Sequence, residues 1–109
     1  MGSADTVWTV YLIECDSRLY AGVTTDLRRR LSEHRSGRSR AARSTRGRRE
    51  ITLRYAAAIG QRGTALRVER AVKRLTRREK LEIIAAQSTP TELLQRLGVD
   101  PGGYCGNGA

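Results

Sequence analysis

Apolar and polar residues follow two different periods along this chain, and the switches between them mark its elements. From Val7 to Ile13 an unbroken run of β-branched, aromatic and aliphatic residues predicts a strand apolar on both faces. Residues 15–18 supply a turn and Leu19 to Gly22 a second strand, so the first two elements read as a hairpin. A helix follows over residues 26–36. Thr25 can cap it, Asp26 places a carboxylate at the positive end of its dipole, and Gly37 is a natural terminator. Ile51 to Ala58 alternates again, with Ile51, Leu53 and Tyr55 on one side, and predicts a third strand ending at Gly60. After Gly63 the period becomes helical, with Ala65, Val68, Val72 and Leu75 at three-four spacing. Thr76 and Glu79 have the spacing of a capping box and open a helix from Arg77 to Ala86. Thr89 as cap, Pro90 at the first helical position and Glu92 supporting the cap from a neighbouring position predict a short last helix ending near Gly98.

A chain of 109 residues has the length of one domain. We place that domain at residues 1–98, with a core over 7–86. Residues 99–109 hold four glycines and a proline without an apolar period, and read as a flexible tail.

Charge narrows the partner. Lys and Arg number 21 against 11 Asp and Glu, giving a formal charge of +10, and only Lys73 and Lys80 are lysines. The planar guanidinium fork binds phosphate bidentately, so a polyanion, nucleic acid above all, is the expected partner. Ten arginines between Arg28 and Arg49 face the single acid Glu33. The stretch from Ser36 to Arg49 has no periodic apolar residues to dock it on a core. It reads either as a solvated charge run or as a mobile basic arm, with Arg38, Arg40, Arg43 and Arg46, that orders on phosphate. Cys15 and Cys105 have neither CxxC spacing nor accompanying histidines, which argues against a zinc site or a disulfide framework. No apolar stretch is long enough for a membrane span, and the first residues show neither a basic head nor an apolar h-region. A cytoplasmic protein without a membrane partner is expected.

Helical geometry singles out particular side chains. At roughly 100° per residue, Leu27, Leu31 and His34 share one stripe of the first helix, Arg29 points nearly opposite, and Arg30 flanks the stripe beside His34. Of the three consecutive arginines, Arg30 is therefore best placed to reach inward. In the helix after Gly63, Arg67, Arg70 and Arg74 cluster on the solvent side, while Glu69 falls at the border of the buried face, where a carboxylate needs a partner or a metal.

Two tyrosine-bearing triplets, Thr9-Val10-Tyr11 and Tyr20-Ala21-Gly22, precede these helices. With Thr24-Thr25-Asp26-Leu27, Arg30 ten residues after Tyr20, His34, and Glu69 followed by Lys73, the ordered set resembles the GIY-YIG nuclease superfamily. The resemblance covers about residues 7–85 and is nearest to the small stand-alone bacterial members. The chain departs from the family pattern at Thr9 in place of glycine, at Ala21 in place of isoleucine, and at Val23, where some relatives carry a lysine.

The resemblance implies an α+β fold, a small three-stranded, mostly antiparallel sheet flanked by helices. It also implies a divalent-metal-dependent endonuclease. Glu69 would hold one Mg²⁺ or Mn²⁺ ion and Arg30 would stabilise charge developing on the phosphate. One tyrosine would help deprotonate the attacking water. Tyr11 is the preferred base and Tyr20 the phosphate- or water-positioning phenol, with the exchanged assignment open. An ordinary phenol is a poor base near neutral pH, so the site must favour phenolate or pass the proton on. His34 is read as an organiser of tyrosine or phosphate rather than a metal ligand, against the plainer reading of a packed helix residue. Lys73 is assigned with the basic arm to nucleic-acid binding, and Gly22 to a backbone requirement at a strand end. Single-stranded or branched DNA is the expected substrate, with DNA preferred over RNA. A basic DNA- or RNA-binding protein that no longer cuts is the alternative, and it leaves the carboxylate at position 69 without a purpose.

Overall fold

The computed structural model describes residues 6–36 and 50–100. The basic stretch with Arg38, Arg40, Arg43 and Arg46, the terminator Gly37 and residues 101–109 lie outside the described residues. The element order is β1 (Trp8–Cys15), β2 (Arg18–Thr24), α1 (Leu27–Ser36), β3 (Thr52–Gly60), α2 (Arg62–Lys73), α3 (Arg77–Ala86) and α4 (Pro90–Leu97). The three strands form one antiparallel sheet in the order β2-β1-β3, so the fold is α+β as expected.

The hairpin is tighter than its sequence suggested. β1 runs on to Cys15, leaving only Asp16 and Ser17 as the turn, both at positive φ (53° and 67°). Two successive left-handed residues match the twist of the flanking strands. Val7 lies outside the strand and is exposed.

β1 is covered on both faces, which is why its sequence shows no polar alternation. Val10 and Leu12 face the larger cluster, with Ala65, Val68 and Val72 of α2, Ile83 and Ile84 of α3, and Leu93 of α4. Tyr11, Ile13 and Cys15 face a smaller one completed by Leu31 of α1 and Ile51. Trp8 joins the first face, away from Tyr11, and lies against the Arg62 guanidinium, 5.6 Å from the ring centroid.

The expectation that Ile51, Leu53 and Tyr55 share one side is corrected. Leu53 pairs with Ile13 and Tyr55 with Leu12, so Arg54 is an extra residue, a β-bulge that reverses parity along β3. Ile51 is buried in the smaller cluster and Tyr55 in the larger, while Leu53 stays exposed. The bulged Arg54 reaches Glu14 on β1 in an ion pair. Tyr55 satisfies its hydroxyl by donating to the Ser88 carbonyl at 2.7 Å.

The helix starts also refine the sequence reading. Asp26, not Thr25, caps α1, since its Oδ1 accepts from the Arg29 N–H at 3.1 Å. Asp26 is in turn held by its own N–H donating to Thr24 Oγ1. Thr76 and Glu79 form the expected capping box of α3. Glu92 stands at the third position of α4 and completes a second full box with Thr89, rather than assisting from a neighbouring position. Gly98 ends α4 at φ 70°, and Val99 folds back to pack on the larger cluster.

Candidate active site

A cavity of about 470 Å³ opens along strand β2. It is lined by residues of both parities on that strand, Tyr20 and Gly22 as well as Leu19, Ala21 and Val23, and by Arg30 and His34 of α1 and Glu69 and Lys73 of α2. The two helices belong to opposite faces of the sheet, so the cavity wraps around its β2 edge.

Tyr11 reaches this edge from the central strand. Its register partner on β2 is Gly22, and its ring lies across that glycine. A Cβ at position 22 would fall 2.4 Å from Tyr11 Oη and 2.6 Å from Cζ. Gly22 is thus a steric requirement inside the strand rather than a need of the strand's end, and its lack of a side chain brings the phenol to the cavity.

Around the hydroxyl stand two groups of α1. Tyr11 Oη is 3.0 Å from His34 Nε2, and the Arg30 Nε–H donates to it from 3.4 Å. Because the oxygen accepts from Arg30, its own proton is available to His34 Nε2, with the imidazole in its Nδ1–H form. His34 is 5% exposed, and its ring meets that of Tyr11 edge-on with centroids 5.9 Å apart. The histidine is therefore buried edge-on against the tyrosine ring, with Nε2 within hydrogen-bond distance of its hydroxyl.

Burial pushes the Tyr11 phenol above its ordinary 10.0; Arg30 partly offsets this, and the charges of Glu69 and Glu33 add to the rise. Burial and then the Arg30 charge hold His34 below its ordinary 6.5, against the opposing pull of Glu33. The resting pair is a neutral phenol beside a neutral imidazole.

Arg30 is held at a second point, its Nη1 donating to Glu33 Oε1 at 2.8 Å. Glu33 also meets Arg29, at 3.4 Å. The sequence reading did not single out Glu33, although its i,i+3 spacing from Arg30 carried the signal. It also missed Lys80, whose place in the cavity wall depends on how α3 packs and leaves no local mark. Tyr20 lines the cavity, and its hydroxyl has no hydrogen bond among the described residues.

Glu69 is the carboxylate of the cavity wall. Its side chain is 19% exposed, and Oε2 meets the more exposed Lys73 ammonium at 3.2 Å, one helical turn on. Among the described residues no cluster of three or more metal-binding side chains exists. A hard divalent ion does not need one, since Mg²⁺ keeps most of its waters and binds through one or two carboxylates plus a substrate phosphate. A mostly buried glutamate, paired with Lys73 at the wall of an open cavity, fits that mode. Tyr11, Tyr20, Arg30, His34, Glu69 and Lys73, scattered along the sequence, thus all meet at one cavity.

The same span carries a family signature. A family model for the GIY-YIG catalytic domain matches residues 7–82. The chain belongs to the GIY-YIG family. GIY-YIG domains form a nuclease superfamily that acts on nucleic acid and generally uses divalent metal. The chain is 44% identical over 93 residues to the UPF0213 protein YhbQ of Escherichia coli O1:K1, across 84% of this chain and 91% of that protein. YhbQ of Escherichia fergusonii matches over the same 93 residues with the same identity. The solution NMR structure of the UPF0213 protein BH0048 from Bacillus halodurans is 36% identical, covers 86% of this chain and 99% of its own, and superposes with a TM-score of 0.49. Among the described residues of this GIY-YIG protein, no helix is long and apolar enough to cross a membrane.

Proposed function

We propose that this GIY-YIG protein is a divalent-metal-dependent endonuclease that hydrolyses phosphodiester bonds in single-stranded or branched DNA, in the cytoplasm. The observation that carries the reading is the Tyr11 hydroxyl poised between His34 Nε2 and Arg30 Nε at the wall that also presents Glu69.

Tyr11 takes a proton from the attacking water as it passes its own to His34 Nε2. The neutral imidazole is ready to receive it, whereas a phenol raised above its ordinary value is a poor free phenolate. Removing a proton from Tyr11 places developing negative charge on Oη, which Arg30 Nε–H faces. As water oxygen bonds to phosphorus and the bond to the leaving oxygen breaks, that oxygen takes a proton from solvent. Arg30 Nη1 is anchored on Glu33, so the guanidinium meets the reaction in a fixed pose and can balance charge growing on the phosphate. Tyr20, whose hydroxyl makes no hydrogen bond among the described residues, positions water or phosphate. Glu69 would hold Mg²⁺ or Mn²⁺, and the ion, when bound, polarises the phosphate and steadies the leaving oxygen. Lys73 neutralises Glu69 in the resting protein and is available to a phosphate once the carboxylate is otherwise engaged.

The test is a cleavage panel of single-stranded, duplex, flap and junction DNAs with matched RNAs. Cutting is expected only with Mg²⁺ or Mn²⁺, strongest on unpaired or branched DNA, and lost in Glu69→Ala with binding largely kept. Equal cutting in excess EDTA, or by the Glu69 variant, would overturn the proposal.

A further inference from the structure

Helix α2 carries its charges in an order that leads away from the cavity. At roughly 100° per residue, Glu69 and Lys73 lie about 40° apart, Arg70 about 60° beyond Lys73, and Arg74 and Arg67 within about a further 60°. The apolar residues Ala65, Val68 and Val72 occupy the opposite side, buried against the sheet. Arg67, Arg70 and Arg74 are exposed and share one stripe that spans about 10 Å of the helix axis at ~1.5 Å per residue.

Cations without an ion pair among the described residues also occur elsewhere, as Arg18, Arg28, Arg35, Arg62, Arg77 and Lys80, but only on α2 do three of them share one helix face. Arg29 and Arg30 are matched by Glu33, Arg54 by Glu14, Lys73 by Glu69, and Arg78 and Arg96 by Glu82. Arg67, Arg70 and Arg74 have no acidic partner among the described residues, and no acid shares their stripe. The negative end of the α2 dipole favours cations in the last turn, which suits Arg70 and Arg74 but does not account for Arg67 at mid-helix.

We propose that Arg67, Arg70 and Arg74 form a phosphate-binding ridge that carries the nucleic-acid backbone from the cavity, past Lys73, around α2. This rests on reading the cavity as a phosphodiester-cleaving site, and it specifies the substrate. The polymer extends on the α2 side of the cut bond, so the substrate is a polynucleotide several phosphates long and not a mononucleotide or dinucleotide. Three always-charged forks along ~10 Å cover about three steps of ~3.4 Å axial rise, so each can meet a separate phosphate of one strand.

The experiment measures binding of a long flap DNA to the full chain in EDTA, where cutting is suppressed, over a salt series. Wild type is compared with Arg67→Gln/Arg70→Gln/Arg74→Gln and with a control of equal charge loss, Arg18→Gln/Arg78→Gln/Arg96→Gln, each verified as folded by circular dichroism. Loss of three phosphate contacts lowers the salt slope by about 2.7, so between about 50 and 200 mM salt the ridge variant's affinity falls about 40-fold less than that of wild type. The control should change the slope by less than about one contact's worth, ~0.9. An unchanged slope in the ridge variant, or an equal drop in both variants, overturns the ridge. Wild type that binds with the expected difference but never cuts with metal would leave the ridge standing and sink the nuclease reading; wild type that binds no DNA or RNA sinks both.

Discussion

Replacing Gly22 with alanine tests the packing that delivers Tyr11 to the cavity. In an ordinary strand the change would help, because glycine costs about 0.5–1 kcal/mol relative to alanine through backbone entropy. Here the new Cβ would sit 2.4 Å from Tyr11 Oη, 2.6 Å from Cζ and 3.1 Å from Cε2, so the ring must move. The ring is buried, and its hydroxyl is tied to His34, which leaves it little room to yield cheaply. Overpacking of this kind costs about 1–3 kcal/mol, and losing the hydrogen bond adds about 1 kcal/mol. We expect Gly22→Ala to destabilise the protein by about 1–3 kcal/mol in urea unfolding, lowering Tm by ~4–8 °C per kcal/mol in a domain of this size. The decisive comparison is a double-mutant cycle with Tyr11→Leu, which removes the ring's outer atoms but keeps apolar volume. In that background Gly22→Ala should be neutral or stabilising by up to about 1 kcal/mol, giving a coupling energy of about 1–4 kcal/mol. Strict additivity of the two substitutions would refute the claim that Gly22 exists to admit the Tyr11 ring.

The remaining expectations concern protons, salt and helix ends. If His34 accepts the proton from Tyr11, kcat/KM should have an acid limb with its midpoint below pH 6.5 and a plateau through neutral pH, and His34→Gln should abolish that limb; a rate still climbing above pH 9 would instead indicate a free phenolate. His34's folded value is depressed, so the fold binds fewer protons than the unfolded chain; its contribution to stability is present above pH 6.5 and is lost as pH falls through the folded value, a trend that pH-dependent urea titrations should show and that His34→Gln should flatten. Neutralising Arg38, Arg40, Arg43 and Arg46 together should weaken binding to unrelated sequences alike and reduce the salt slope by up to about four contacts' worth; an unchanged slope means that these arginines do not touch phosphate. Thr76→Ala and Thr89→Ala each remove one half of a complete capping box and should each cost about 1 kcal/mol, additively, in equilibrium unfolding.

Features written in adjacent residues were the easiest to read from the sequence. Threonine caps fixed the starts of α3 and α4, with the glutamate three positions on legible as a box at Thr76 alone, and the unbroken apolar run announced a strand covered on both faces. The cavity was legible because Arg30 and Glu69 stand at borders of their helices' apolar stripes, so each was constrained by periodicity as well as by family spacing. The misreadings arose where a residue's role is set by a neighbour distant in sequence. The Arg54 bulge depends on pairing with β1 and on Glu14, forty residues away, so simple alternation put Tyr55 on the wrong face. Gly22's purpose lies in the ring of residue 11, and Lys80's in the docking of α3. The Asp26 cap was displaced by one residue because Thr24, Thr25 and Asp26 are all competent caps, and Thr24 is spent on holding Asp26.

The phenol, imidazole and guanidinium are not shared evenly between the two sides of the sheet. Among the described residues, they sit with a cluster of five buried residues that α1 covers, while three helices shield the larger cluster opposite. Apolar burial sets how often a segment opens on its own, so α1 should detach far more frequently than the rest of the molecule, with fast amide exchange as its signature. Each such excursion would dismantle the proposed proton path while leaving most of the protein intact. Thermal inactivation of any hydrolytic activity should therefore precede global melting, and a bound polymer that pins α1 should bring the two temperatures together.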